Sequence, residues 1–358
     1  MNERELRRLI AKEARKALTE GKSKHSLKFL LEDDQGDKEK ESPKKLDVSK
    51  GPSAALAFLN GAGADPRVRA LLNSGRKDGI PADESADVSE GSATLGELVP
   101  TQVEIELTKS IAFPLSKFDF LKKMISGGVQ RVGPPGNDMI VTSGNLIIDG
   151  HHRWSSLFSV AGPEGKIASI NVGLPESDAP SVLAIVQTAI AATLKDGEQV
   201  PKAKAGGMNI LGKGREELVK LITSAAGKGG EAGEILSDKF VQSCIDDSEV
   251  SSHFGLEGIK EIEQAREKII DKVADNLSKM NQPADGAPPR VDMPQLDQAK
   301  GGVVGALDKL KTGRVNYKAP FKVVAKDDEE ENVQKQESSS IKGDVLLERW
   351  QKIAGLIK

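Results

Sequence analysis

Leu146-Ile147-Ile148-Asp149-Gly150-His151-His152-Arg153-Trp154 is the stretch whose reading decides the fold of this chain. Three successive apolar residues predict a buried strand. Gly150 then permits a tight or positive-φ turn. Trp154, Leu157, Phe158 and Ala161 recur at helical spacing, and Gly162-Pro163 ends that helix. A helix that opens directly from a strand end points its unsatisfied first N–H groups at the turn, and its dipole favours an anion there. Arg153 offers a planar fork of donors. His151 and His152 can donate to phosphate oxygens or shuttle protons near neutral pH. Asp149 can cap the helix, orient a histidine or bind a metal. Two readings stand on these residues alone: a phosphate site, or a capped helix with surface histidines and Trp154 in the core. A two-histidine metal site is disfavoured, because adjacent residues do not project together and the chain has no HExxH.

Working outward, the apolar runs 139–141 and 146–148 flank Thr142-Ser143-Gly144-Asn145, which predicts a hairpin. Phe118, Leu121, Met124 and Ile125 share a helical face that Gly127-Gly128 ends. Val103, Ile105 and Leu107 alternate with polar neighbours, as in a half-buried strand or extended segment, and residues 167–172 predict a last strand. Beyond Pro175 the chain reads as helical. Residues 179–194 are strongly apolar and should pack on the mixed region, with further helices at 216–226, 231–245 and 256–280. Residues 282–295 are Pro-rich and end this series, and 304–310 add a helical turn or two. The polar, Gly/Ser/Asp-rich stretch 73–96 reads as a linker, so ordered structure is expected from Leu95. Amphipathic helices are predicted at 2–18 and 345–356, with charged or polar linkers at 32–50 and 327–340.

The run LIIDGHHRWSSLFSVAG, residues 146–162, resembles the ParB/sulfiredoxin-like superfamily, which includes the ParB-like nuclease domain, sulfiredoxins and free serine kinases. The shared signature is a strand, a G-x-x-R or D-G-H-H-R turn, and a helix. The resemblance covers about residues 95–175, and the style of chain resembles phage- or bacterium-encoded proteins. It implies that Gly150, His151, His152 and Arg153 contact the phosphates of ATP or CTP, with Asp149 beside them. Pro100-Thr101-Gln102-Val103-Glu104 resembles the family's first strand-and-loop element, which implies that Gln102 or Glu104 faces the ligand. Glu104, His151 and His152 then become the catalytic candidates, and Glu104 or Asp149 shares magnesium with the phosphates. The departures are informative. A histidine stands where sulfiredoxins need cysteine, which argues against sulfinic acid repair. No basic recognition helix follows Pro175, which argues against partition-type DNA binding. A serine kinase needs a catalytic acid beyond the turn.

Composition narrows the remaining classes. Aromatic residues make up only 3% of 358, with 36 glycines and 17 prolines, which predicts one modest packed region among linkers. A formal charge of -3 gives no global pull toward nucleic acid or an anionic membrane surface. Cys244 is the single cysteine, so no intramolecular disulfide forms; it lies on a helical face and reads as a buried structural thiol. No apolar run approaches the about 20 residues of a membrane span, and the start of the chain lacks a signal-peptide core. A cytoplasmic place in a bacterium or phage-infected host, or a virion, is expected. Residues 207–213 fit G-x-x-x-x-G-K, but Gly214 stands where a magnesium-holding Ser or Thr belongs and no buried strand precedes them, so they read as a linker. Residues 227–230 read as an interhelix loop.

The expected architecture is α+β. Residues 1–94 hold a terminal helix and linker, 95–176 a small mixed-sheet ParB/sulfiredoxin-like domain, 177–282 a helical region, and 283–358 a Pro-rich and acidic linker with a final helix. Three functions are expected in turn. The first is nucleotide binding with phosphoryl-transfer, NTPase or nuclease chemistry at the DGHHR turn. The second is a non-enzymatic phage structural or assembly protein whose terminal helices engage protein partners. The third is a DNA-binding adaptor.

Overall fold

Leu146 and Ile148 face one side of a mixed sheet and Ile147 the other, as the pleat requires, and each side carries its own apolar core. The computed structural model describes residues 72–73, 75, 85–174, 177–193, 207–230, 232–293 and 302–316. The helices expected at 2–18 and 345–356, and the linkers at 32–50 and 327–340, lie outside the described residues.

In chain order the sheet elements are β1 (Asp87–Thr94) and β2 (Val99–Pro100), then helices α1 (Leu107–Ile111) and α2 (Phe118–Ile125). Strands β3 (Val129–Gln130), β4 (Ile140–Ser143) and β5 (Leu146–Asp149) lead into helix α3 (His151–Ala161) and strand β6 (Lys166–Gly173). The spatial order is β1-β6-β4-β5-β2, with β3 beside β6. The predicted hairpin is present: β4 and β5 pair antiparallel, and Gly144 in the turn has φ 57°. β4 lies parallel to β6, and β2 parallel to β5. β3 and β4 follow one another along the same edge of β6. The α+β reading holds at this level.

Helix α4 (Ala179–Ala191) comes next, then α5 (Arg215–Ala225), a two-stranded ribbon β7 (Gly229–Gly230) and β8 (Gly233–Glu234), α6 (Asp238–Asp246), α7 (Ser248–Phe254), α8 (Ile262–Leu277) and α9 (Gly302–Lys311). One core joins Ile140, Ile147 and Ile167 of the sheet to α1, α2, α3 and α5 through α8. The opposite core joins Val141, Leu146, Ile148 and Val172 to α4 and α9. The sheet is therefore covered on both faces. Every α4 position except Pro180 and Ser181 is buried, as its apolar sequence predicted. All these elements belong to one compact unit, Lys44–Lys358. Among the described residues no helix is long and apolar enough to cross a membrane.

Three local expectations are corrected. Ordered structure starts before Leu95: β1 occupies 87–94, where composition suggested linker. Its side chains are mostly exposed, so it has no apolar alternation to detect; pairing with β6 along its whole length makes it a strand. The loop at 227–230 is part of the β7–β8 ribbon, and the helix expected from 231 starts at Asp238, where Ser237 Oγ caps Phe240 N–H. The Pro-rich segment from 282 is pinned rather than free. Asn281 donates to the Gly96 and Leu98 carbonyls, Ala284 N–H donates to Pro100 O, and Val103 N–H donates to Pro288 O. The prolines cannot extend the sheet, but the peptide groups between them tie the segment to β2 and its flanks.

Trp154 is fully buried beneath the sheet, and its Nε1–H donates to Leu95 O at 3.0 Å. Replacing it removes ring volume and leaves a buried carbonyl without a donor. Trp154→Phe is expected to lower unfolding free energy by about 3 kcal/mol, read as a lower urea midpoint with an unchanged m-value.

Candidate functional site

The parallel pairing of β2 and β5 sets their carboxyl ends side by side, and the predicted turn lies there. Gly150 has φ 92° and caps α3 with its backbone alone; no side chain accepts from the first turn of the helix. A Cβ at this position would sit 2.8 Å from Ile140 Cγ2 and 2.9 Å from Arg153 Nε. Both the positive φ and the close approach of the arginine therefore require glycine.

His151 is the first residue of α3 and is buried. Thr101 N–H donates to its Nε2 at 3.1 Å, and Thr101 Oγ1 donates to Ile147 O at 2.5 Å. A backbone amide is an obligate donor, so Nε2 is the acceptor and the ring proton is on Nδ1. His152 is treated the same way by a different donor: Arg290 Nη1 lies 2.5 Å from its Nε2. Arginine cannot accept, so His152 also carries its proton on Nδ1. Burial pushes both histidines down to about 3. Neighbouring positive charge adds to this, from His152, Arg290 and Arg153 at His151, and from Arg290, Lys109 and Arg153 at His152. Both rings are neutral at pH 7, and neither has a free lone pair with which to take a proton.

Arg153 is not the open fork that the motif suggested. Its Nη2 donates to Asp149 Oδ2 at 2.5 Å, one turn back, and its Nη1 donates to Asn137 Oδ1 at 2.5 Å. This pair spans the turn and holds Asp149 away from other duties. Arg290 fills the free cationic place instead. It belongs to a 3-10 turn, Arg290–Asp292, in the Pro-rich segment, and among the described residues it has no carboxylate partner. No motif in the sequence points to Arg290; its proximity to His152 follows only from how residues 281–293 run past β2.

A cavity of about 230 Å³ opens at this junction. Its polar wall includes Gln102, Asp149, His152, Arg153 and Arg290, with the start of α3 between them. Its apolar wall is Leu183, Val186 and Ile190 of α4 together with Met293. It thus lies between helices on the two faces of the sheet, beyond a strand carboxyl end. Gln102 and the Asp149–Arg153 run line the cavity as expected; Glu104 is not among its lining residues. Of the two carboxylates expected to share magnesium with the phosphates, Asp149 lines the cavity. Among the described residues no group of three or more His, Cys, Asp or Glu side chains converges, and Asp149 is engaged by Arg153.

Several of the buried polar atoms without a partner belong to residues of this cavity: His152 Nδ1, Arg153 Nε, Arg290 Nε and Gln187 Oε1. Three of these are N–H donors. Folded proteins rarely leave such groups unpaired, so their clustering is a signal in itself. The second motif is held by its own neighbours. Lys213 donates to Glu217 on α5 at 2.5 Å, and Asn209 ties this segment to the extended residues 103–106. Cys244 is fully buried, with its thiol pushed up to about 12 by burial first and by the nearby Asp247 charge second, as suits a structural role.

This chain matches no family model, no curated protein and no solved structure.

Two measurements check the geometry. In the unfolded chain each histidine titrates near 6.5, against about 3 in the fold. Between these values the unfolded state binds more protons, so stability is fully present above pH 6.5 and is lost as pH falls toward 3. Each histidine is expected to remove about 2 kcal/mol between pH 7.5 and 5. His151→Gln, which keeps an acceptor for Thr101 N–H, should cut that loss by about half in urea titrations; an unchanged slope would count against a neutral buried His151. Gly150→Ala should cost about 2 kcal/mol, seen as a lower thermal midpoint.

Proposed function

We propose that this protein binds a nucleotide through its phosphates at the DGHHR turn. The observation that carries the reading is the set of buried donors without partners, His152 Nδ1–H, Arg153 Nε–H and Arg290 Nε–H, around one cavity at an uncapped helix N-terminus. The helix end and its unpaired N–H groups favour an anion. Among the described lining residues Asp149 is the one carboxylate, and Arg153 already neutralises it. Phosphate oxygens accept several hydrogen bonds and match such a donor set. The resemblance to the ParB/sulfiredoxin-like superfamily supports the same assignment from sequence.

Within this reading the residues divide their work. Arg153 and Asp149 shape the turn, Thr101 fixes His151, and His152 and Arg290 supply donors to the ligand. Magnesium, where present, would be shared between the phosphates and an acidic residue, and Asp149 is the carboxylate among the described lining residues. The same donor set favours recognition over turnover. Both histidine lone pairs are occupied, and Glu104 does not line the cavity. A phosphoryl-transfer, NTPase or nuclease reaction would need its general base from the incoming partner or from another state of the site. Recognition without turnover also suits an assembly or interaction role, in which nucleotide binding controls engagement of a protein partner.

Calorimetric titration of the full chain with inorganic phosphate, ATP and CTP, with and without magnesium, is the test. Arg290→Met should weaken phosphate and both nucleotides by about 10- to 100-fold, the worth of a charge-assisted hydrogen bond. Lys279→Met, which removes only a surface pair with Asp275, should leave binding unchanged. Failure of phosphate and both nucleotides to bind the wild-type chain would overturn the proposal.

A further inference from the structure

The two edge strands of the sheet are treated differently. β2 is short, and the Pro-rich segment covers it: Ala284 N–H donates to Pro100 O, and Asn281 donates to the Gly96 and Leu98 carbonyls. β1 runs from Asp87 to Thr94 and pairs with β6 without a bulge. Among the described residues no strand pairs with its outer edge. Ser89, Glu90, Gly91 and Ser92 are all exposed. A long open edge is a template for another strand, and folded proteins usually blunt it with lysine, proline or a bulge. Between Val88 and Thr94, β1 has none of these. The register shows which groups face outward. Leu95 N–H, one residue beyond β1, donates to Gly165 O in line with the β1–β6 pairs. Bonded and non-bonded pairs alternate along an antiparallel ladder. Odd-numbered residues of β1 therefore turn their backbone groups to β6, and Val88, Glu90, Ser92 and Thr94 turn theirs away. This outward series is closed at both ends: Ala86 N–H donates to Leu310 O of α9, and Gly96 N–H to Pro163 O. The open stretch, Val88–Thr94, is thus centred on Gly91. A Cβ on Gly91 would meet nothing within 4 Å, so packing within the chain does not call for glycine there. A glycine inside a strand weakens it and often marks the close approach of another backbone.

We infer that β1 pairs antiparallel with β1 of a second copy of this chain, about a two-fold axis at Gly91, so that the two sheets become one. A two-fold axis perpendicular to the sheet keeps each face on its own side, so residues of like parity stand opposite one another. With the axis at Gly91, Val88 meets the partner's Thr94 and Glu90 meets the partner's Ser92. Every outward amide and carbonyl of the open stretch then finds its complement. Gly91 faces the partner's Gly91 in a non-bonded pair, where backbones approach to about 4.5 Å, with no side chain between them. No like charges oppose one another in this register. An axis at Glu90 would set Glu90 against the partner's Glu90. An axis at Ser92 would set Val88 against the partner's Gly96, whose amide is already taken by Pro163 O. The charge pattern and the limits of the open edge therefore select the same centre, and a self-complementary edge favours a second copy over an unrelated strand.

Sedimentation equilibrium of the full chain from about 1 to about 300 μM tests this, because an interface this small gives a weak dimer. Wild type should pass from monomer to dimer across that range. Ser92→Lys sets a cation opposite the partner's Glu90, twice by symmetry, and should tighten the dimer by about 2- to 30-fold. Ser92→Glu sets like charges opposite and should weaken it by a similar factor. Ser92→Pro removes an outward N–H and keeps the bonds to β6, so it should abolish the dimer while the circular dichroism stays that of wild type. Should the proline variant not fold, the opposite shifts of the two charge variants decide alone. A wild-type chain that stays monomeric overturns the inference and leaves the edge to a strand of another protein. A dimer that ignores both charge variants forms through another surface and overturns it as well.

Discussion

One buried hydrogen bond, from Thr101 N–H to His151 Nε2, holds the end of β2 against the first turn of α3. Much of the site depends on it. It locks the His151 ring as a neutral Nδ1–H tautomer and so forbids protonation of that nitrogen. Gln102, which follows Thr101 just beyond β2, lines the cavity. The Thr101–His151 bond also fixes where α3 starts, and therefore where the uncapped N–H groups of His151 and His152 lie. The bond needs Gly150 at positive φ, since only that backbone turns the chain from β5 into a helix beside β2.

The same compactness explains the electrostatics. Burial alone keeps both histidines neutral, and the arginines around them deepen the effect. Two neutral rings and two guanidiniums then surround a cavity in which the one carboxylate among the described lining residues is already paired.

Covering both sheet faces gives the cavity its mixed character. α3 comes from one core and α4 from the other, and they meet beyond the end of β5. The polar and apolar walls follow directly from this: the partly buried start of α3 on one side, the flank of the mainly apolar α4 on the other. The Pro-rich segment is what bridges them. It is tied to β2 and its flanks by the Asn281 side chain, which donates to the Gly96 and Leu98 carbonyls, and by backbone bonds from Ala284 to Pro100 and from Val103 to Pro288.

The hairpin, the glycine turn and α3 were legible in the sequence because their signals are local: a three-residue apolar run, a glycine, and a 3.6-residue apolar period. The α4 and α8 helices were legible for the same reason. β1 was not, since a polar edge strand has no alternation and becomes a strand only when β6 offers a partner. Within the site, the sequence marked Gln102 and the run Asp149 to Arg153, and it assigned the open cation to Arg153. Tertiary structure reassigned it. Arg153 closes on Asp149 four residues back at the end of β5, whereas Arg290 arrives from 138 residues downstream to meet His152. Gln187 was hidden in an apolar helix for the same reason. Local pattern dictates which segments become strand, turn and helix; which side chains share a cavity depends on long-range packing, which no short window of sequence contains.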